Sequence, residues 1–161
     1  EKLLGFKAPV IRIMPNINAT VLEAMSAYCC SESVTDDQKE FVNKLCSSFG
    51  KVMPLPESYF PLFCSIAGCA PAYAYMFIDS LARSAVKNGM NKSVALEIAA
   101  QTVLGSAKKI LESDEHPWEL IDKVCSPGGT TIEGIVSLQK DGFESAVCNA
   151  VDAALQKDKK V

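Results

Sequence analysis

The pattern of hydrophobic and polar positions changes character near residue 57. Before it, short apolar runs typical of strands alternate with one amphipathic stretch. The runs predict three strands, Val10–Met14, Ala24–Cys30 and Lys51–Leu55. Between the second and the third, Thr35-Asp36-Asp37-Gln38 fits a capping box that opens a helix, and we expect Gly50 to end that helix. This order predicts a β-α-β unit whose strands are too few to stand as an independent domain.

After residue 57 the strand signals disappear, and the spacing of apolar residues predicts helices throughout. The predicted helices cover Phe60–Gly68, Pro71–Lys87, Val94–Leu111, Pro117–Cys125, Thr131–Lys140 and Phe143–Lys157. In the middle of the third helix the only polar interruptions are Gln101, Thr102 and Ser106. A helix that is apolar on nearly every side must be buried on most sides, and a chain of 161 residues has little room for one. We therefore expect this helix to lie in a subunit interface, in a homodimer or a larger oligomer of dimers.

Composition and charge exclude several functional classes. The net charge of −3 provides no basic surface for nucleic acid, and no basic stripe interleaved with aromatic residues occurs. No unbroken apolar run reaches the roughly 18 residues that a membrane span needs. The first five residues do not resemble a signal peptide. We therefore expect a cytoplasmic protein that binds neither nucleic acid nor membranes.

The seven cysteines do not predict a metal site. Their number is odd, no C-x-x-C pair occurs, and the sequence has one histidine, His116, whereas a zinc site requires closely paired ligands. We expect no metal, and reduced thiols that pack as small hydrophobic side chains. His116 directly precedes Pro117, which is typical of a helix start and favours a structural role for this histidine over a catalytic one. The sequence also has no G-x-G-x-x-G, P-loop, G-x-S-x-G or HExxH motif.

The most informative segment is Ser126–Gly134, in which a Pro-Gly-Gly turn separates two predicted helices. Thr130 and Glu133 fit a capping box at the start of the second helix. Such a start gathers unpaired backbone N–H groups and a partial positive charge, which suit a small carboxylate or phosphate. Thr131 adds a hydroxyl in the first turn. On this pattern alone, a well-capped helix after a tight turn remains the alternative to a binding site.

Four segments match one known family in order and at compatible spacing. Arg12–Asn16 is similar to its R-x-M-P-N strand end, and Ala67–Tyr73 is similar to its S-G-S-G-P-A-Y helix start. Ala100–Gly105 also fits, and Glu115–Pro117 followed by Ser126–Thr131 is similar to its H-P…S-P-G-G-T-T signature. On these motifs the chain resembles pyrroline-5-carboxylate reductase over essentially its whole length.

The resemblance implies a mainly helical fold with a small α/β part. Residues 1–56 would be the last part of a Rossmann-like nucleotide-binding domain. Residues 57–161 would be an all-helical dimerisation and substrate-binding domain, similar to the C-terminal helical fold of 6-phosphogluconate dehydrogenase. The glycine-rich loop and the early β-α-β units of the family do not occur in the sequence, so about a hundred further residues are expected upstream. A fragment without them is expected to be inactive by itself.

The resemblance also implies a reaction, in which hydride transfer from NADPH or NADH reduces 1-pyrroline-5-carboxylate to proline, the last step of proline biosynthesis. The substrate carboxylate would be bound by Ser126, Gly128, Gly129, Thr130 and Thr131. Thr131 would also be catalytic, through a hydrogen bond to the ring nitrogen, with water as an alternative proton donor because threonine is a weak acid. Met14, Pro15 and Asn16 would follow the carboxyl end of a strand and border the nicotinamide.

Two departures from the family pattern leave other functions open. Ala67-Gly68-Cys69-Ala70 replaces S-G-S-G, which removes two hydroxyls and a glycine, and Asn16-Ile17-Asn18 replaces Asn-Thr-Pro. One alternative is a non-catalytic helical dimerisation module. Another is a paralogue that acts on a different small cyclic imine or hydroxy acid. A G-x-G-x-x-G motif encoded upstream in the same gene would favour the enzyme over the non-catalytic module.

Overall fold

The computed structural model describes residues 5–158, in which a small sheet is followed by a series of helices. This architecture confirms the expected fold class, mainly helical with a small α/β part. The strands are β1 (Ile11–Met14), β2 (Ala24–Cys30) and β3 (Gly50–Pro54). The α-helices are α1 (Asp36–Ser47), α2 (Phe60–Phe63), α3 (Ala70–Lys87), α4 (Lys92–Leu111), α5 (Pro117–Val124), α6 (Thr130–Lys140) and α7 (Phe143–Asp158). Short 3-10 helices cover Ile17–Val21 and Glu57–Tyr59, and a π-helical segment, Cys64–Gly68, follows α2.

The three strands form one sheet with β2 in the centre. β2 and β3 are parallel, with Ala24 opposite Gly50, and α1 connects them, which confirms the predicted β-α-β unit. β1 pairs with the other edge of β2 and is antiparallel to it, with Ile11 opposite Cys30. The carboxyl end of β1 therefore lies at the same edge of the sheet as the amino ends of β2 and β3.

The sequence pattern predicted that Gly50 ends α1, and this prediction is wrong. The helix ends at Ser47, and Gly50 is instead the first residue of β3, with a φ of +150°. A Cβ atom at this position would lie 2.2 Å from the carbonyl oxygen of Ala24. The glycine is needed because its backbone approaches the neighbouring strand too closely for any side chain.

The helix α1 is held to the sheet by a small apolar core. Tyr28, Val42 and Cys46 are its buried members. The predicted capping box at the start of α1 is confirmed, since the Gln38 N–H donates to Thr35 Oγ1 at 3.4 Å and the Thr35 N–H donates to Gln38 Oε1 at 3.0 Å.

The described residues divide into two compact units, 5–72 with 150–158, and Tyr73–Asn149. In the second unit the buried contacts between α3 and α4 are made by small side chains, Ala82, Ala95 and Ala99. Their size lets the two helices approach closely. Asp79 of α3 adds a polar connection, because its carboxylate accepts hydrogen bonds from Arg83 and from Lys92 at the start of α4. Both hydrogen bonds lower the pKa of Asp79, and the bond from Lys92 has the larger effect.

Most large apolar side chains of α4 remain exposed in the single chain. Leu96, Leu104 and Leu111 are 42%, 56% and 67% exposed, and Ala100 and Ala107 between them are exposed as well. These five residues share one side of the helix, because they follow a spacing of three or four. We call them the α4 apolar stripe.

Within residues 5–158, one helical stretch, Glu57–Lys87, is long enough and over part of its length apolar enough to cross a membrane, judged by length and composition alone. The sequence-based expectation differed because it required an unbroken apolar run, whereas this stretch contains interspersed polar residues. A single such helix is weak evidence for a membrane span, since apolar helices of soluble proteins pass the same test.

Candidate functional site

The residues expected to form the site fall into two groups, one in each compact unit. Ser126, Gly128, Gly129, Thr130 and Thr131 lie at the start of α6 in the second unit. Met14 is the last residue of β1 in the first unit, and Pro15 and Asn16 follow it directly. Each group is described by itself.

The α6 start is preceded by a tight turn over Ser126–Gly129. The Gly129 N–H donates to the Ser126 carbonyl at 2.9 Å, and Gly128 has a φ of +68°. This hydrogen bond, with proline second and a left-handed glycine third, is typical of a type II turn. The turn aims the chain so that Gly129 precedes the first helical residue.

The predicted capping box of Thr130 and Glu133 is wrong. The N-cap is Gly129, with φ −79° and ψ 167°, and no side chain caps the helix. Thr130 is already the first helical residue, so its hydroxyl cannot act from the N-cap position. The turn at Gly128 caused this shift by one residue, because it brings Gly129 into the extended conformation that an N-cap requires.

The consequence of a glycine N-cap is an open helix start. The backbone N–H groups of Thr130, Thr131 and Ile132 have no capping side chain, and both threonines are exposed. Three N–H groups at the positive end of an 11-residue helix favour a bound anion.

A side chain at position 129 would close this start. A Cβ atom on Gly129 would lie 2.4 Å from Ser126 Oγ and 3.0 Å from the Ser126 carbonyl oxygen. The missing side chain therefore leaves the helix start open and lets the Ser126 hydroxyl approach it.

The preceding helix, α5, starts differently. The Trp118 N–H donates to His116 Nδ1, and the His116 N–H donates to Glu119 Oε2, both at 3.2 Å. His116 is thus the N-cap of α5, and Pro117 is the first helical residue, as the sequence predicted. His116 has a structural role here.

After β1, the side chain of Asn16 is used within the protein. Its Oδ1 accepts from the Met25 N–H at 3.2 Å, and its Nδ2 donates to the Ala67 carbonyl at 3.0 Å. Asn16 therefore ties the end of β1 to the start of β2 and to the π-helical segment. Met14 lies near the same segment, since its Cε would be 3.7 Å from a Cβ atom added to Gly68.

Arg12 is a residue of this region that sequence reasoning did not assign to the site. Its guanidinium forms an ion pair with Glu57 at 3.0 Å and lies 4.5 Å from the centre of the buried Phe60 ring. Both partners come after the sheet in the chain, so they connect β1 to the first helical turns. The sequence signal that could have identified Arg12 was its place as the first residue of the R-x-M-P-N motif. Beside Arg12, a cavity of about 840 Å³ opens where β2 and β3 end.

No group of three or more His, Cys, Asp or Glu side chains that could hold a metal ion occurs among the described residues. The seven cysteines are free thiols, of which Cys46 is buried and Cys148 is exposed. Burial raises the pKa of the Cys46 thiol.

Comparisons with known proteins agree on one family. Residues 57–161 match the family model described as pyrroline-5-carboxylate reductase dimerisation. The pyrroline-5-carboxylate reductase of Aquifex aeolicus is 40% identical over 161 residues, which is the whole of this chain and 61% of that protein. The Escherichia coli pyrroline-5-carboxylate reductase is 39% identical over 99% of this chain and 60% of its own length. The chain thus spans about three fifths of the relatives that it matches.

Solved structures agree. The 1-pyrroline-5-carboxylate reductase of Streptococcus pyogenes superposes with a TM-score of 0.90 at 42% identity, over 95% of this chain and 59% of that one. The Plasmodium falciparum pyrroline carboxylate reductase, solved with NADP bound, superposes with a TM-score of 0.92 at 35% identity, over 99% of this chain and 64% of that one. The sequence motifs, the mainly helical fold and these matches lead to one conclusion. The chain belongs to the pyrroline-5-carboxylate reductase family.

Proposed function

We propose that the protein reduces 1-pyrroline-5-carboxylate to proline by hydride transfer from NADPH or NADH, as the last step of proline biosynthesis. The observation that carries the proposal is the open start of α6, which is built from the S-P-G-G-T-T motif of a family that acts on a small cyclic carboxylate. Because the chain spans about three fifths of its relatives, the activity belongs to the full-length product of the gene. The 161-residue chain alone is expected to be inactive.

The substrate carboxylate would bind at the α6 start. Ser126, Gly128, Gly129, Thr130 and Thr131 form this binding site. The backbone N–H groups of the first helical turn donate to the carboxylate oxygens, and the helix end adds a partial positive charge. The two glycines keep the loop free of side chains that would occupy the same donors.

Thr131 is the proposed catalytic residue. Its exposed hydroxyl in the first turn of α6 would hydrogen-bond the ring nitrogen while the carboxylate is held by the same turn. Hydride adds to the imine carbon more easily when the nitrogen is protonated, so a hydroxyl that orients or delivers this proton accelerates the reaction. General acid assistance of this kind contributes roughly a hundredfold.

The last residue of β1 and the segment after it would border the cofactor. Met14 is half-buried and Pro15 exposed, and together they offer an apolar edge that fits a flat nicotinamide ring. When bound, the cofactor supplies the hydride. Asn16 belongs to the same set, and its amide holds Met14 and Pro15 in place through Met25 and Ala67. On this proposal, residues 1–56 are the last part of a nucleotide-binding domain, and residues 57–161 are the helical domain.

An assay of the full-length gene product tests the proposal directly. Oxidation of NADPH or NADH is followed by its absorbance with 1-pyrroline-5-carboxylate as substrate, and proline is identified as the product. A folded protein that binds the dinucleotide but shows no turnover would contradict the proposed reaction.

We propose that the protein is a cytoplasmic homodimer, or a larger oligomer of dimers, joined through the α4 apolar stripe. The match to a dimerisation family model and the exposure of three leucines on one side of α4 support this. Leu104→Asp should dissociate the oligomer, because a buried unpaired charge costs several kcal/mol. Gln101→Glu, on the polar part of the same helix, should leave it intact. Sedimentation of both variants measures the difference, and an intact oligomer in Leu104→Asp would contradict the interface.

One observation bears on the alternative of a non-catalytic module or a paralogue. Ala67 stands where the family has a serine. Asn16 is bound by the backbone carbonyl of Ala67, and the Ala67 side chain is buried. The substitution therefore preserves the contact that positions the segment after β1. This favours retained activity, and a panel of small cyclic imines and hydroxy acids in the same assay separates the paralogue from the reductase.

A further inference from the structure

Pro71 cannot donate a helix hydrogen bond to the Ala67 carbonyl. In an α-helix each N–H donates to the carbonyl four residues earlier, and the residue four before Pro71 is Ala67. Proline has no N–H, and its ring also crowds that carbonyl. The next N–H along the chain, that of Ala72, donates to the Cys69 carbonyl at 3.1 Å. The Ala67 carbonyl therefore depends on a donor from another part of the chain.

The position of Pro71 differs from that of a proline at an ordinary helix start. A proline in the first turn is common because the N–H that it lacks would have no helix partner there. Pro71 is the second residue of α3, but only Cys69 separates α3 from the π-helical segment, which ends at Gly68. Ala67 is therefore itself helical, and it is buried. Because a buried carbonyl without a donor is destabilising, the missing N–H must be replaced.

The side chain of Asn16 provides the replacement. Its Nδ2 donates to the Ala67 carbonyl at 3.0 Å, and its Oδ1 accepts from the Met25 N–H at 3.2 Å. These two contacts fix the amide in one orientation, because only its nitrogen donates and only its oxygen accepts. Asn16 directly follows Pro15, so the fixed amide also constrains the chain where it leaves β1.

We propose that Pro71 is a positioning residue for the nicotinamide cofactor. By lacking an N–H, it reserves the Ala67 carbonyl for Asn16. Asn16 in turn holds Met14 and Pro15, which are proposed to border the nicotinamide, so this role rests on the proposed function. Pro71 acts through two other residues and takes no part in the chemistry itself.

Pro71→Ala in the full-length gene product tests the proposal. The new N–H would bond the Ala67 carbonyl and draw it toward the helix axis, so Asn16 would lose its acceptor. We expect the KM for NADPH or NADH to rise about fivefold, which is the effect of losing one neutral hydrogen bond. The KM for 1-pyrroline-5-carboxylate should change less, because its proposed site lies in the other compact unit. Since alanine favours helices, the variant should fold.

Hydrogen–deuterium exchange at the Met25 amide follows the same link without reference to activity. In the wild type this N–H donates to Asn16 Oδ1, so a displaced Asn16 side chain should let it exchange faster. We expect faster exchange at Met25 in Pro71→Ala, whereas an effect limited to α3 would not reach this amide. Wild-type exchange at Met25, or an unchanged KM for the dinucleotide, would overturn the proposal.

Asn16→Asp shows whether the effect of Pro71 is transmitted by Asn16. This change removes the donor to Ala67 and keeps an acceptor for Met25, so it should raise the KM for the dinucleotide by itself. Adding Pro71→Ala should then raise that KM little further, because both changes remove the same contact. An equally large effect of Pro71→Ala in both backgrounds would overturn the proposal. Since Pro71→Ala alone already decides, poor folding of Asn16→Asp leaves the test intact.

Pro61→Ala is the matched control from the same helical stretch. Pro61 is the second residue of α2, and the carbonyl four residues before it, that of Glu57, already accepts from the Phe60 N–H. This variant should therefore keep the wild-type KM and the wild-type exchange at Met25. An equal rise in KM for Pro61→Ala and Pro71→Ala would overturn the proposal. A wild-type protein without any NADPH or NADH oxidation would contradict the proposed function, and exchange at Met25 would still test the link from Pro71 to Asn16.

Discussion

Two consecutive helices, α5 and α6, begin in opposite ways. At α5, His116 and Glu119 close the helix start, since one side chain accepts from a first-turn N–H and the other accepts from the N-cap N–H. At α6, the N-cap is Gly129, and no side chain caps the N–H groups that follow it. The helices are eight and eleven residues long, so helix length does not explain the difference.

The comparison shows how a helix start can serve stability or binding. A start whose donors are used by its own side chains stabilises the helix and has little left for a ligand. A start that lacks such side chains gives up that stabilisation and keeps its donors for an anion. The α5 start is structural on this criterion, and the α6 start is the proposed carboxylate site.

Gly129→Asp should have the largest effect, because it converts the open start into a closed one. The new carboxylate would accept from the first-turn N–H groups and repel the substrate carboxylate. We expect kcat/KM of the full-length enzyme to fall about 100-fold or more. Gly129→Ala is the matched control, since it introduces the same contact with Ser126 but no acceptor, and its loss should be smaller. A Gly129→Asp enzyme with half the wild-type kcat/KM would contradict the open-start account.

Thr131→Ala should reduce kcat about tenfold or more, because it removes the hydroxyl proposed to act on the ring nitrogen. The backbone N–H groups remain, so the KM for the substrate should change less than kcat does. Thr130→Ala removes the neighbouring hydroxyl and serves as the control, with a smaller effect on kcat. Equal values of kcat for the two variants would remove Thr131 from its catalytic role.

His116→Ala should affect stability and leave chemistry almost unchanged. Removing an N-cap acceptor costs about 1 kcal/mol, which lowers the melting temperature by a few degrees in a domain of this size. Glu119→Gln retains an acceptor for the His116 N–H and should melt close to wild type. If His116→Ala lowered kcat as strongly as Thr131→Ala, the assignment of α5 as purely structural would be wrong.

Glu115→Gln should have the smallest effect, and the effect should depend on pH. Lys123 of α5 hydrogen-bonds the Glu115 carboxylate and lowers the pKa of Glu115. A lowered carboxyl pKa adds stability above the pKa of the unfolded chain, and that stability is lost as the pH falls through the folded-state value. The variant should melt slightly below wild type at pH 7 and level with it in more acidic buffer. A difference that grows on acidification would contradict the ion pair.

A capping-box pattern predicted the helix start correctly only where the conformation of the preceding residues allowed the predicted N-cap. Thr35 with Gln38 and Thr130 with Glu133 both fit the capping-box pattern, yet only the first pair forms one. The capping-box pattern concerns only the N-cap residue and the residues that follow it in the helix. The type II turn before α6 moves the N-cap to Gly129, and this depends on the conformation of Gly128, which a capping pattern does not contain.

Other features of the fold have no local sequence signal. The apolar run from Phe60 predicts a helix, but the change to a bond between residues five apart at Cys64 depends on packing. The antiparallel pairing of β1 is a long-range contact, so its residues predict a strand without predicting its direction. In contrast, the apolar pattern of α4 predicts an interface, because the side chains that remain exposed in the single chain follow directly from the spacing in the sequence.

The central claim is that the α6 start binds a carboxylate and the α5 start does not. Hydrogen–deuterium exchange of the full-length protein, with and without L-proline in the presence of the oxidised dinucleotide, tests it most directly. We predict slower exchange at the amides of Thr130, Thr131 and Ile132 when proline is added, and unchanged exchange at Trp118 and Glu119. Unchanged exchange at the start of α6, with proline shown to be bound, would contradict the account.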